Sequence, residues 1–266
     1  PCLPKGDPGR FLPYIAATMS RPFLKMNGLG NDFVVVEARS APFAPTGDEV
    51  RAIASRTTGI GCDQLVSIEP SDQGDARVRF WNNDGDEVGA CGNASRCVGW
   101  LLMEASGRDE AVMDTRGGLL HARRAGDHRV AVDMGEPRLR WDQIPLSEEM
   151  DTKNIELQIG PIDTPLLHTP GCVSMGNPHV VFFVDDAETA PVREAGSLIE
   201  HHPLFPEGVN VGFAQIIARD RIRLKVWERG AGQTKACGTG ACAALVAAAR
   251  RGLVDRTATL ELDGGE

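Results

Sequence analysis

Polar and apolar positions alternate sharply in two segments, ARVRFWN (Ala76–Asn82) and RIRLKVWE (Arg221–Glu228). That period of two predicts β-strands. Two runs of β-branched and aromatic residues, Phe33–Val36 and Val180–Val184, predict two more. Each follows a Gly-Asn pair, Gly30-Asn31 or Gly176-Asn177, of the kind that makes turns. Helices are predicted over Asn93–Ala105 and Thr239–Arg250. Their small, Ala-rich faces suit tight packing inside a unit rather than a place on the surface. No apolar run reaches the roughly 18 residues of a membrane-spanning helix, so no membrane span is expected.

These elements recur at a fixed offset. Cys91 and Cys237 stand 146 residues apart, and so do Trp81 and Trp227. Gly30-Asn31 and Gly176-Asn177 share the offset, as do Gln64 and Asn210. Gapless agreement at separate points predicts two copies of one α/β unit. The Gly135–Pro137 turn marks their boundary, giving units over residues 21–137 and 138–266. The second copy stops two residues past the match to Gly118, so its closing strands are expected to be lacking. Residues 1–20, rich in Pro and Gly, are expected to form a poorly ordered extension without a signal-peptide layout.

Composition narrows the function. The formal net charge of -9 argues against a nucleic-acid binder, which needs clustered Lys and Arg. Seven cysteines without an export signal predict free thiols and a cytoplasmic location. Most cysteines serve as small buried hydrophobes, and Cys62, Cys97, Cys172 and Cys242 are read that way. Cys91 and Cys237 differ, because each precedes a glycine at a predicted helix start. Unsatisfied N–H groups there carry partial positive charge, which is expected to lower a thiol's pKa and to bind a carboxylate.

Two such starts facing each other across the cleft between units would set one sulfur on each face of a substrate carbon. One thiolate then removes a proton and the opposite thiol returns one, which inverts a stereocentre. The units also differ in ways that suit a substrate with a charged distal end. Asn82-Asn83 match Glu228-Arg229, and Phe33 matches His179. Arg229 can pair with a carboxylate, and Glu228 with an ammonium group. Glu228 and His179 are candidates to position or deprotonate the thiols.

The segments KMNGLGNDFVVVEAR, GIGCDQL, WNNDGDEVGACGNASRC, MGNPHVVFF, GVNVGF and ERGAGQTKACGTGACA together resemble the diaminopimelate epimerase family, in order, from about Phe23 onward. The resemblance implies two similar α/β domains, each a β-sheet wrapped around a central helix. It implies an isomerase interconverting LL- and meso-diaminopimelate without pyridoxal phosphate or metal, on the route to lysine and peptidoglycan, and a homodimer. It makes Cys91 and Cys237 the acid/base pair. It places Asn31, Gln64, Asn82, Asn177, Asn210, Glu228 and Arg229 against substrate, with Gly92-Asn93 and Gly238-Thr239 at the α-carboxylate. Thr239 stands where relatives often carry Ser, which keeps the hydroxyl. Relatives usually continue through a further strand pair, absent here.

Blander alternatives stand beside this. Asn31 and Asn177 are explained by turn formation alone, and Glu228-Arg229 by a solvated charge pair. His179 suits a purely structural role equally well. Gly28-Leu29-Gly30 precedes its strand and lacks the spacing of a dinucleotide fingerprint. A proline-racemase-like isomerase shares the two-cysteine layout. A metal or redox protein would need closer spacing than Cys91/Cys97 and Cys237/Cys242 provide. A carrier protein would use the same helix-start anion sites without catalysis.

Overall fold

The structure, a computed structural model, describes residues 20–89 and 91–266. The expected extension therefore lies outside the described residues, Ser20 excepted. The first half builds β1 (Phe23–Gly28), β2 (Asn31–Glu37), α1 (Gly47–Ala54), β3 (Gln64–Glu69), β4 (Ala76–Asn82) and β5 (Glu87–Val88). It continues with α2 (Gly92–Ser106), β6 (Glu110–Thr115), β7 (Gly118–Arg124) and β8 (Val130–Asp133). Its sheet runs β1-β2-β3-β4-β6-β7-β8, with β5 also on β4.

A small hairpin, β9 (Gln158–Ile159) and β10 (Leu167–His168), precedes the second sheet. Then come β11 (Gly171–Ser174), β12 (Pro178–Phe183), α3 (Val192–Glu200), β13 (Asn210–Ala218), β14 (Arg221–Glu228), β15 (Gly232–Thr234), α4 (Gly238–Arg250) and β16 (Thr259–Glu261). The order is β11-β12-β13-β14-β15, with β16 on β14.

The sequence repeat is also a repeat of register. Phe33 pairs with Gln64 across the parallel β2–β3 ladder, and His179 with Asn210 across β12–β13. Leu65 opposes Trp81, and Val211 opposes Trp227. Among the described residues, the second sheet has no counterpart of β7 and β8. Instead the chain after β16 turns towards the first unit. Gly264 N–H donates to Lys235 O at 2.8 Å, and a Cβ on Gly264 would stand 1.9 Å from Leu29 O.

Both sheets enclose a helix, as their composition requires. Val98, Leu102 and Met103 of α2 pack on Phe33, Val66, Val78, Phe80 and Met113. Ala243, Ala244, Ala247 and Ala248 of α4 pack on Val173, Val181, Leu224 and Val226. Small side chains bring α4 close to its sheet, and Gly99 does the same for α2. A Cβ at Gly99 would stand 2.7 Å from that of Ala122. The opposite faces are covered by α1, through Val50 and Ala54, and by α3, through Val192, Ala195 and Ile199. Burying each large apolar side chain of α2 contributes roughly 1.5–3 kcal/mol, and Gly107, in the left-handed conformation, ends that helix.

Several elements go beyond the sequence expectations, β1, α1 and α3 among them. β1 is mostly exposed, so its residues show no buried face to read. α1 and α3 are short, amphipathic and lie outside the repeat's anchor points.

Candidate active site

Cys91 is the N-cap of α2 and Cys237 the N-cap of α4, both with extended backbone. The two helix starts meet. A Cβ built on Gly92 would stand 3.4 Å from Gly238 Cα, and one on Gly238 would stand 3.3 Å from Gly92 Cα. Glycine at both positions is what allows the approach. The cysteines thereby line one cavity of about 1170 Å³ between the units.

That cavity gathers nearly every residue singled out by sequence. Asn31, Gln64, Asn82, Gly92, Asn93, Asn177, Asn210, Glu228, Arg229, Gly238 and Thr239 line it with the two cysteines. His179 does not. It is buried behind Asn177, with Nε2 3.0 Å from Asn177 Oδ1. Burial, reinforced by the nearby Arg229 charge, lowers its pKa to about 3. It is therefore neutral and orients an amide; neither thiol is its hydrogen-bond partner among the described residues.

Matched bonds tie each helix start to the turn beneath it. Asn93 Nδ2 donates to Asn31 Oδ1 at 2.6 Å, and Asn177 Nδ2 donates to Thr239 Oγ1 at 3.3 Å. Thr239 Oγ1 lies 3.6 Å from Cys237 Sγ. Gln64 Nε2 donates to Asn82 Oδ1 at 2.8 Å, while Gln64 Oε1 is buried without a protein partner. Asn210 is used differently. Its Nδ2 donates to Pro178 O at 2.9 Å, and its Oδ1 accepts from Arg229 N–H at 3.0 Å. Its amide thus holds the backbone that presents Arg229, whose Nη1 donates to Glu207 O at 2.7 Å.

The thiols depart from expectation. Helix starts alone would lower them, yet both are raised. Burial pushes Cys91 up to about 11, aided by the Glu228 charge and opposed by the Ala94 and Asn93 N–H groups and by Arg96. Cys237 is pushed well above the ordinary thiol range, first by burial and then by Glu228. Glu228 is itself raised by burial, although it accepts from Thr234 Oγ1. Desolvation outweighs the dipole here, because each sulfur packs against the core beside its own helix start. A sulfur raised in this way is a strong base once deprotonated, which suits removal of a proton from carbon. Cys91, Cys237 and Glu228 titrate as a coupled set.

Two residues escaped the sequence reading. Arg96 donates to Asn93 Oδ1, and its repeat partner Cys242 made the mismatch visible. Glu200, buried at the end of α3, accepts from Trp227 Nε1 at 2.7 Å and from Gly230 N–H at 2.8 Å. It clamps the turn carrying Glu228 and Arg229. Nothing local in the sequence announces that role.

The family model described as Diaminopimelate epimerase matches residues 23–140 and 171–266. A diaminopimelate epimerase of Phenylobacterium zucineum is 69% identical over 252 residues, covering 95% of this chain and 91% of the relative. One from a Caulobacter species is 64% identical, over 93% of this chain and 89% of its own. Among solved structures, a hydroxyproline epimerase from Agrobacterium vitis aligns with a TM-score of 0.62 at 18% identity, over 88% of this chain and 78% of that one. A Bacillus anthracis phenazine biosynthesis protein aligns with a TM-score of 0.55 at 14% identity, over 85% of this chain and 78% of that one. These two likenesses show the fold.

Proposed function

The chain belongs to the diaminopimelate epimerase family, and from that premise we propose that it interconverts LL- and meso-diaminopimelate with Cys91 and Cys237 as the two bases. The abutment of Gly92 on Gly238 supports this reading, because it brings two N-cap thiols into the lining of one cavity. One thiolate takes the α-proton: the C–H bond breaks, an S–H bond forms, and the electron pair stays on the α-carbon and its carboxylate. The opposite thiol then gives its proton to the other face. Two groups are needed, since a single base tends to return the proton where it came from.

The α-carboxylate sits on the N–H groups of Gly92-Asn93 and Gly238-Thr239, preorganised for the charge that develops. Neither helix has an acidic residue in its first turn to compete. Asn31, Gln64, Asn82 and Asn177 supply polar contacts around the substrate, and Gln64 Oε1 is free to accept from it. Glu228 and Arg229 take the charged groups of the substrate, and Asn210 holds Arg229 in place. Protein groups alone supply the charge stabilisation, so the reaction runs without pyridoxal phosphate. The two units correspond to residues 21–137 and 138–266. The enzyme works as a homodimer in the cytoplasm and feeds lysine and peptidoglycan-precursor synthesis. Among the described residues, no helix is long and apolar enough to cross a membrane.

Purified protein given LL-diaminopimelate without added cofactor is expected to yield the meso isomer, resolved by chiral chromatography. No conversion by the folded protein would sink the assignment.

A further inference from the structure

Arg56 stands in the loop after α1, and that loop folds back on its helix. Gly59 N–H donates to Ser55 O at 3.0 Å, Gly61 N–H to Ile53 O at 3.0 Å and Cys62 N–H to Ala54 O at 3.1 Å. From this base Arg56 Nη1 donates to Asp32 Oδ2 and Nη2 to Asp63 Oδ1, each at 2.8 Å. The two aspartates also hold each other. Asp32 N–H donates to Asp63 Oδ2 at 2.8 Å, and Asp63 N–H donates to Asp32 O at 2.9 Å. Asn27 Nδ2 donates to Asp32 Oδ1 at 2.9 Å, so every carboxylate oxygen of the pair is engaged. Asp32 follows Asn31 and Asp63 precedes Gln64, and all four line the cavity with Arg56.

The repeat shows what this clamp replaces. Asp32, Arg56 and Asp63 match Pro178, His202 and Val209, a set without a carboxylate. There Asn210, the match to Gln64, ties the strand heads together itself. Its Nδ2 donates to Pro178 O at 2.9 Å, the carbonyl that matches Asp32 O, and its Oδ1 accepts from Arg229 N–H. Gln64 is released from that duty, because Asp63 N–H already satisfies Asp32 O. Its Nε2 goes to Asn82, and its Oε1 is left buried without a protein partner. A buried amide oxygen left unpaired is costly unless a ligand donor meets it. The Arg56 side chain is 57% exposed, so its ion pairs add little to global stability. A rigid fork spanning two carboxylates fixes geometry instead.

We propose that Arg56 is a positioning residue: by closing Asp32 on Asp63 it holds the Asn31 turn against the head of β3 and aims the Gln64 amide at an ammonium group of the substrate. This rests on the reading that the cavity takes diaminopimelate. The first unit thereby presents a free amide at the place where the second unit uses its amide on backbone.

Kinetics on LL-diaminopimelate and amide hydrogen exchange in the ligand-free full chain test this. Arg56→Gln should raise KM about tenfold, as for one lost hydrogen bond to a charged group, while kcat falls less than about threefold. Its thermal midpoint should stay close to the parent's. Exchange of the Asp32 N–H should quicken at least about tenfold in the same variant. R56K, which keeps the charge but offers one nitrogen where the fork offers two, should recover part of the affinity. In Gln64→Ala protein, R56Q should raise KM no more than about threefold further, because its target is gone. An unmoved KM, an equal effect in both backgrounds, or full recovery by R56K would overturn the proposal. Circular dichroism of each variant confirms the fold, and R56K decides the matter if R56Q does not fold: a raised KM supports the clamp, and a parent-like KM defeats it. The underlying reading is judged on the parent alone. No conversion of LL-diaminopimelate there would sink that reading, whereas unchanged Asp32 exchange in R56Q would sink the clamp whatever the substrate.

Discussion

Gly92 and Gly238 lie back to back across the cleft, each leaving no more than 3.4 Å between the other's Cα and an added Cβ. A methyl group at either place must push the helix starts apart by a few tenths of an ångström. Gly238→Ala is expected to lower kcat at least tenfold, since small misplacements at reacting centres are costly. Stability should change little, because Ala in a helix recovers about 1 kcal/mol over Gly. Steady-state kinetics beside a thermal melt checks this; a parent-like kcat would show that the spacing is slack.

Glu200 is expected to govern substrate affinity without touching substrate. Glu200→Ala leaves the Trp227 indole N–H and the Gly230 N–H unsatisfied, at a cost of about 2 kcal/mol or more. α3 lies directly on the indole, since a Cβ at Gly196 would stand 2.6 Å from the Trp227 ring. With the turn loosened, Glu228 and Arg229 lose their aim, so KM should rise more than kcat falls. Urea titration and kinetics measure both effects. A reduced kcat at constant KM would contradict the clamp.

His179 makes stability depend on pH. Its folded pKa is near 3, against an ordinary 6.5. Between those values the unfolded chain binds the extra proton, so stability is full above about pH 6.5 and falls as the pH drops towards 3. His179→Gln removes that term while keeping a donor for Asn177 Oδ1. The loss of stability between pH 7.5 and pH 5 in urea melts should be smaller in the variant. Equal slopes would place the histidine in solvent contact.

Much of this was legible in the chain itself. The 146-residue offset showed the duplicated unit, because each copy must place the same thiol, amide and tryptophan on the same strand and helix ends. β1 was missed because an exposed edge strand has no buried face to pattern. α1 carried a visible signal, the Thr46/Glu49 capping box, whose bonds are both present. The segment 138–170 has no period, yet it supplies Ile144, Leu146, Ile155 and Leu157 to the core beneath α3. The direction of the thiol pKa values is not legible in the sequence, because a helix start is visible there and the packing around its sulfur is not. Glu200 was invisible for the same reason: its partners lie 27 and 30 residues away.

The central claim is that Cys91 and Cys237 act from opposite faces of one carbon. Incubation of parent, Cys91→Ala and Cys237→Ala with LL-diaminopimelate in D₂O tests it, with NMR following α-deuteration and chiral chromatography following product. The parent should give meso product deuterated at the inverted centre, and both variants should lose epimerisation by at least a thousandfold while remaining folded. Epimerisation persisting in either variant, or meso product that retains the original proton, would contradict the two-base account.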